Sequence, residues 1–348
     1  MIIEEITTES AWQAFISKQD PNTFLQSWAW GQVQQKDGEH VLYLGFFENG
    51  IQVACALVVT VHARRGNHYL IPHGPIFSPQ ANQAEVVRQL TQYLIKEAGR
   101  ESAVCIRIAP LIEENNESKA LFENVGYKLS PLHVHAELTW VLDINKSPDE
   151  LLSAMRKTSR HAIKKGEAQI QVEILQSQAG FERFWPLYET TKDRHNFVPF
   201  SRSFISAQVE EFSRTGSVYI PIAKYQGEDV AAAIILISGS TAFYYHGASL
   251  KLSSGVPAAH VLHWHSIQEA KRRGLKQYNF WGIAPDNQPT WPPKPWRRRQ
   301  HPFAGITVFK KGFGGRAINY LHAQDYPLSF VYNKLWLVET IRKFRRGF

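Results

Sequence analysis

The same succession of elements is written twice along this chain, and that repetition constrains the fold more than any single motif. In "VLYLGFFENGIQVACALVVTVHA" apolar side chains recur at period two on both sides of "ENG", which reads as two strands joined by a tight turn. A helix follows in "QAEVVRQLTQYLIKEAG", expected to stop at Gly99, and then a strand, "SAVCIRIAP". The second half gives two strands around "QGED", a third in "TAFYYHGAS", a helix in "PAAHVLHWHSIQEAKRRG" expected to end at Gly274, and a strand in "KQYNFWGIAP". Both units close on "IAP". A duplicated α/β unit is the simplest reading, and 348 residues are long for one core, since domains commonly have ~50–250. The Pro and Asp of "INKSPDE" (144–150) open a helix and mark the boundary.

Charge is distributed unevenly over this frame. The net charge is +8, yet residues 294–348 alone carry twelve Lys or Arg against Asp325 and Glu339, so 12 − 2 = +10 and the rest of the chain is slightly acidic. An anionic partner such as nucleic acid, phosphate or a membrane surface is implied. Cys55 and Cys105 lie in apolar runs without a CxxC pattern, which fits a reducing cytosol. "MIIEEITTES" has neither the basic nor the apolar region of a signal peptide, and no run reaches the ~18 apolar residues of a membrane span. A soluble, cytoplasmic monomer is expected, whose basic "IRKFRRGF" could make a peripheral contact with the inner membrane face.

The order of strands, helix and strand resembles the acetyltransferase-like (GNAT) architecture. Neither "FSPQANQAE" nor "GASLKLSSGVPAAH", ahead of the two central helices, supplies the Gly-x-Gly donors of a pyrophosphate cradle, so coenzyme A is not the expected acyl carrier. "FLQSWAWG" (24–31), "IPHGP" (71–75), "IRIAP" (106–110), "SRHAIKKGE" (159–167), "TTKDRHNF" (190–197), "YYHGAS" (244–249), "LHWHSIQEAKRRG" and "FKKGFGG" occur in the order of the Fem family of peptidoglycan bridge-forming transferases. The chain resembles that family over nearly its whole length. The resemblance implies two tandem GNAT-like domains with mixed central sheets flanked by helices: 1–143 with a returning helix in 325–348, and 144–324. Residues 194–218 leave no room for the coiled-coil arm of some members. It also implies transfer of an amino acid from aminoacyl-tRNA to the stem peptide of a UDP-linked or lipid-linked muropeptide precursor. The family's usual acids are missing at Asn279 and Ala109, and the lysine near Trp30 is displaced to Lys36.

Residues 278–315 concentrate three Trp, four Phe and six Lys or Arg with one acid, Asp286. An amine attacking an activated ester needs positioning and a cation at the developing oxyanion. Lys310, after Phe309, is assigned that role by resemblance; both lysines of "FKKGFGG" are expected at a glycine-bounded strand end, and a solvated charge pair is the plain alternative. Arg194 takes the family's place for the nucleotide-linked precursor, with a helix-end salt bridge to Asp193 or Glu189 as its alternative. Arg160 and Lys36 are further anion contacts, although "MRKTSRHAIKKGE" also reads as a solvated basic face. Tyr244, Tyr245, Trp281 and Phe309 are expected to stack on substrate, the alternative being that alternate members of "FYYHG" and "YNFWGI" face the core. Arg297, Arg298, Arg299 and Lys311 are expected to grip tRNA phosphates. "HVLHWH" lacks HExxH spacing, so His263 is read as a packed histidine, and no metal or cofactor is expected. Aminoacyl transfer to a lipid headgroup or a protein N-terminus, or an inactive RNA-binding module, are the competing functions.

Overall fold

The structure is a computed structural model that describes residues 1–64, 66–195, 198–252, 255–286, 301 and 303–346. Its first half contains β1 (Ile2–Glu5), α1 (Glu9–Ile16), α2 (Trp28–Lys36), β2 (His40–Glu48), β3 (Ile51–Val61), β4 (Asn67–Pro72) and β5 (Ile76–Phe77). α3 (Gln83–Glu101), β6 (Ala103–Ala109), α4 (Asn116–Glu123) and β7 (Lys128–Leu129) follow. Next come β8 (Leu138–Asp143), α5 (Pro148–Ala154), α6 (Lys157–Glu167), β9 (Ile170–Leu175), α7 (Gln178–His195) and α8 (Arg202–Arg214). The second set of strands is β10 (Val218–Tyr225), β11 (Glu228–Ser238) and β12 (Thr241–Ser249), then α9 (Ala258–Arg272) and β13 (Gln277–Gly282). The chain closes with α10 (Ala304–Lys311), β14 (Arg316–Asn319), β15 (Gln324–Pro327) and α11 (Val331–Arg346).

Two mixed sheets are present, and they match strand for strand. One has the order β1-β2-β3-β4-β6-β15-β7, with β5 on β3; the other, read in the same sense, is β9-β10-β11-β12-β13-β8-β14. In each, three antiparallel pairings lead to a parallel pair, β4 with β6 and β12 with β13. A right-handed parallel connection needs a crossover, and α3 and α9 provide it. The hairpin turns repeat too. Asn49 (φ 51°) and Gly50 (φ 78°) join β2 to β3, and Gln226 (φ 53°) and Gly227 (φ 89°) join β10 to β11, the positive φ pair that a type I′ turn requires.

Helix ends follow local chemistry with one exception. Ser147 and Glu150 form a capping box with Pro148 in the first turn of α5, as "INKSPDE" leads one to expect. α9 ends at Arg272, with Gly274 at φ 77°. α3 does not stop at Gly99. It continues to Glu101, whose carbonyl accepts from the Asn67 side chain at 3.0 Å, and Ser102 takes the left-handed position at φ 51°. One internal glycine costs a helix about 1 kcal/mol, which an outside partner for the last turn offsets.

The chain divides into a unit of Met1–Leu138 with Ile318–Phe348 and the described part of Ala284–Ala304, and a unit of Thr139–Ile283 with Gly305–Ala317. Compared with the expected 144–324, β8 goes to the second unit because it pairs with β13, while 318–324 goes to the first. Each unit has its own core. In the first, Val86, Val87, Leu90 and Leu94 of α3 cover Phe46, Val58, Tyr69 and Ile106; in the second, Val261, Leu262 and Ile267 of α9 cover Tyr219, Ile235, Tyr278 and Phe280. The stretch 194–218 holds α8 and no coiled-coil arm. No helix among the described residues is long and apolar enough to cross a membrane.

β15 and α11 return to the first unit through a buried ion cluster. Arg107 on β6 donates to both carboxylate oxygens of Asp325, 2.7 Å each, and to Glu339 of α11 at 2.7 and 3.2 Å, while the Tyr332 hydroxyl donates to Asp325. Bidentate geometry and complete pairing are what make a charge cluster tolerable away from water.

Candidate active site

The two parallel strand pairs differ in one respect. β4 and β6 stay paired from Asn67↔Ala103 to Pro72↔Ala109, the ends of both strands. β12 and β13 pair only from Thr241↔Gln277 to Phe243↔Asn279 and then part. Both strands are irregular at that point. β12 bulges at Tyr245, since Ile235 faces Tyr244 and Ile234 faces His246. In β13 the Asn279 Oδ1 accepts from the Trp281 backbone N–H at 2.7 Å, and Trp281 adopts φ 64°. Asparagine readily captures an N–H two residues on. A bulky residue at positive φ is uncommon and stores about 1–3 kcal/mol, an outlier associated with functional sites.

Lys310 enters the fork that opens there. Its Nζ donates to the Gly282 carbonyl at 2.6 Å and lies 5.6 Å from the centre of the Tyr244 ring. The residue is only 5% exposed. The carbonyl and the aromatic face favour the ammonium; burial opposes it and is the larger effect, lowering the pKa to about 7. Behind it stands His263 of α9, with its ring 4.4 Å from Tyr244 and Nδ1 3.1 Å from the Tyr278 hydroxyl. Burial first, and then Lys310, hold His263 neutral with a pKa near 3. His263 is therefore a fixed, uncharged wall.

The seat of Lys310 explains "FKKGFGG". Both lysines lie on α10, not on a strand end, so they do not alternate between two faces. Thr307 and Lys310, one turn apart, point inward, whereas the Lys311 Nζ lies 5.4 Å from the Trp140 ring centre. Gly312 receives α6 so closely that a Cβ would stand 2.3 Å from the Ser159 Oγ, and the Arg156 N–H donates to the Gly312 carbonyl at 2.9 Å. Gly315 has φ 100°, and a Cβ there would lie 2.4 Å from the Val141 carbonyl oxygen. Phe309 packs against His260 at 4.8 Å, His263 at 5.3 Å and Phe313 at 5.3 Å.

The structure thus brings Lys310, Phe309 and Tyr244 together. Tyr245 and Trp281 meet edge to face at 5.6 Å on the strands that part. Tyr244 and Tyr245 use different surroundings because the bulge, not simple alternation, separates them. Arg194 lies at the other end of β12. Thr191, one turn before it, bonds the Ser249 backbone through both the N–H (3.0 Å) and the carbonyl (3.2 Å), and an Arg194 guanidinium nitrogen is 3.5 Å from the Ser249 Oγ. Asp193 pairs with Lys192. Arg160 donates to the carbonyls of Leu152 and Ser153 at 3.2 and 3.1 Å, closing the end of α5. Lys36 is exposed in the last turn of α2, in the first unit. Arg297, Arg298 and Arg299 lie outside the described residues.

Two motif residues act as scaffold instead. Gln26 of "FLQSWAWG" is fully buried; its side chain accepts from Leu57 N–H at 2.7 Å and donates to the Pro72 carbonyl at 2.7 Å, tying the middle of β3 to the end of β4. His73 of "IPHGP" is buried with its ring 5.6 Å from that of His135; burial first, and then His135, push its pKa down. Ala109, where an acid is usual, is 3% exposed and paired with Pro72. Among the described residues no group of His, Cys, Asp and Glu could hold a metal ion. Sequence reasoning missed the Gly282 carbonyl, the Asn279 turn and Arg107; the last had a visible signal, an arginine inside the apolar "SAVCIRIAP".

Comparison with known proteins agrees with this arrangement. The family model for the FemAB family matches residues 7–229 and 213–337. The crystal structure of FemX superposes with a TM-score of 0.83 at 17% identity, over 97% of this chain and 100% of that one. L-PGS from Bacillus licheniformis gives 0.58 at 14% identity, over 98% and 99%. A tandem GNAT protein of clavulanic acid biosynthesis gives 0.54 at 10% identity, over 84% of each chain. At these identities the likeness is one of fold. No curated protein sequence matches.

Proposed function

The chain belongs to the FemAB family, and on that premise we propose that it is a peptidyltransferase moving an amino acid from aminoacyl-tRNA to the stem-peptide amine of a peptidoglycan precursor. The observation that carries this reading is a lysine buried in the fork between β12 and β13, whose recorded partners among the described residues are a backbone carbonyl and an aromatic ring, with a neutral histidine behind, and neither a thiol nor a carboxylate. Such a site suits direct aminolysis. The amine nitrogen attacks the ester carbonyl carbon, the new C–N bond forms, and the carbonyl oxygen gains negative charge that Lys310 stabilises. The bond to the ribose oxygen then breaks, and the proton lost by the amine passes to that oxygen. No protein carboxylate is needed, which accords with Asn279 and Ala109. Asn279 instead keeps the fork open through its bond to Trp281.

Phe309 packs on His263, the ring behind Lys310; Tyr245 and Trp281 would offer faces for the aminoacyl end, and Arg194 would clamp an anionic group of the acceptor. Arg160, occupied with α5, is the weaker candidate for such a contact. A mixed pool of aminoacyl-tRNAs is incubated with UDP-linked precursor, lipid-linked precursor and phosphatidylglycerol, and the products are weighed by mass spectrometry. One amino-acid residue added to a precursor is the expected result. Addition to the lipid alone would assign the headgroup reaction, and no product with any acceptor would refute the transferase.

A further inference from the structure

α11 is patterned unlike an ordinary surface helix. Tyr332, Leu335 and Glu339, spaced i, i+3, i+7, are its buried face. The opposite side should then be polar. It carries Leu337 (55% exposed), Val338 and Ile341, with Val331 beside them, and Phe330 just ahead of the helix is 94% exposed. Lys334 is exposed in the same stripe, whereas Lys343, one turn after Glu339, continues the line of the buried face, where its charge acts on His133 and His322.

Charge completes the pattern. The helix has five Lys or Arg and one acid, and that acid, Glu339, is turned inward onto Arg107. Among the described residues its outer surface therefore combines large apolar side chains with the Lys334 cation and lacks a carboxylate. RNA would answer the cation but not Phe330, Leu337 and Ile341. A protein partner would answer the apolar row but would need its own excess of acid. An anionic lipid surface answers both, with acyl chains below and phosphates at the level of Lys334.

We propose that this face of α11 seats the protein on an anionic membrane surface. The proposal does not require the transferase reading, because lipid binding can be measured without turnover. If both hold, the helix brings the enzyme to the plane in which a lipid-linked acceptor lies.

Co-sedimentation with vesicles of phosphatidylcholine, with and without a minority of phosphatidylglycerol, tests it on the full chain. Binding is expected only to the anionic vesicles and should weaken with salt. Each unit of charge at such a surface contributes about a fivefold factor, so Lys334→Glu, a change of two units, should weaken binding about 25-fold. Leu337→Ser with Ile341→Ser removes buried acyl contact and should lose about tenfold or more while keeping the melting temperature and the affinity for tRNA. Equal binding to neutral vesicles, no vesicle binding, or variants that bind like wild type would each overturn the proposal. So would a concentration-dependent dimer that the serine pair abolishes, since a second copy would then own this face.

Discussion

Replacing Lys310 by Met keeps the reach of the side chain and removes its charge, and the fork geometry gives opposite signs to two effects. The first is on stability. The folded pKa of about 7 lies below the ordinary lysine value of 10.5, so between these two pH values the unfolded chain holds the extra proton. Stability contributed by this group then rises with pH across that window, by about 1.4 kcal/mol per unit, and is fully withheld below pH 7. The whole penalty is of the order of ~5 kcal/mol. Lys310→Met removes it but leaves the Gly282 carbonyl without its donor, which costs about 1–3 kcal/mol. At pH 6 the variant should be the more stable protein by about 2–4 kcal/mol, and the gap should close as pH approaches 9. The second effect is on chemistry: kcat should fall by about 10²–10³ with little change in KM, the usual loss when one oxyanion donor is removed. Denaturation midpoints at pH 6, 7.5 and 9, taken with steady-state kinetics on both proteins, check the two together. A variant less stable at pH 6, or a gap independent of pH, would show that the buried-ammonium argument is wrong; unchanged turnover would remove Lys310 from the chemistry.

Arg194→Ala should raise KM for the wall precursor and spare that for aminoacyl-tRNA, because a ground-state clamp is lost; steady-state titration of each substrate decides it, and equal damage to both would make the residue structural. Replacing Arg297, Arg298 and Arg299 by Ala should weaken tRNA binding and flatten the plot of log affinity against log salt by about 2–3 units of slope, one phosphate contact per arginine; filter binding at several ionic strengths measures it. Arg107→Met leaves Asp325 and Glu339 facing each other unpaired and should cost about 3–5 kcal/mol, seen as a lower melting temperature, while residual folded protein keeps its KM values.

What the sequence made legible was local. Asn49-Gly50 and Gln226-Gly227 declare their turns because few other pairs accept those dihedrals, and Pro148 with Asp149 declares a helix start. Amphipathic spacing identified α3 and α9, and the repeat itself identified two sheets. Register is a non-local property, so nothing in "TAFYYHGAS" or "KQYNFWGIAP" announces that the ladder between them stops after Phe243 and Asn279. The error at Lys310 and Lys311 has a related cause. "ITVFKKG" is rich in β-branched and aromatic residues and reads as a strand, yet burial of Thr307 and Lys310 on one side and the close approach of Gly312 to Ser159 favour a helix. Tertiary packing overrode propensity there. Arg160 was visible as a cation, but only the structure places its guanidinium on the α5 carbonyls.

The strand exchange between the two sheets sets a timetable for synthesis. In the first sheet the slot beside β6 is filled by β15, and its covering ion cluster needs Glu339. In the second, the slot beside β13 is filled by β8, made long before β13, and the last segment needed is 305–317. A nascent chain therefore holds all of the second unit before it holds all of the first. The amino-terminal unit, usually the earlier to fold on the ribosome, must here wait with an open sheet edge beside β6 until the second unit has been made and β15 and Glu339 have followed it.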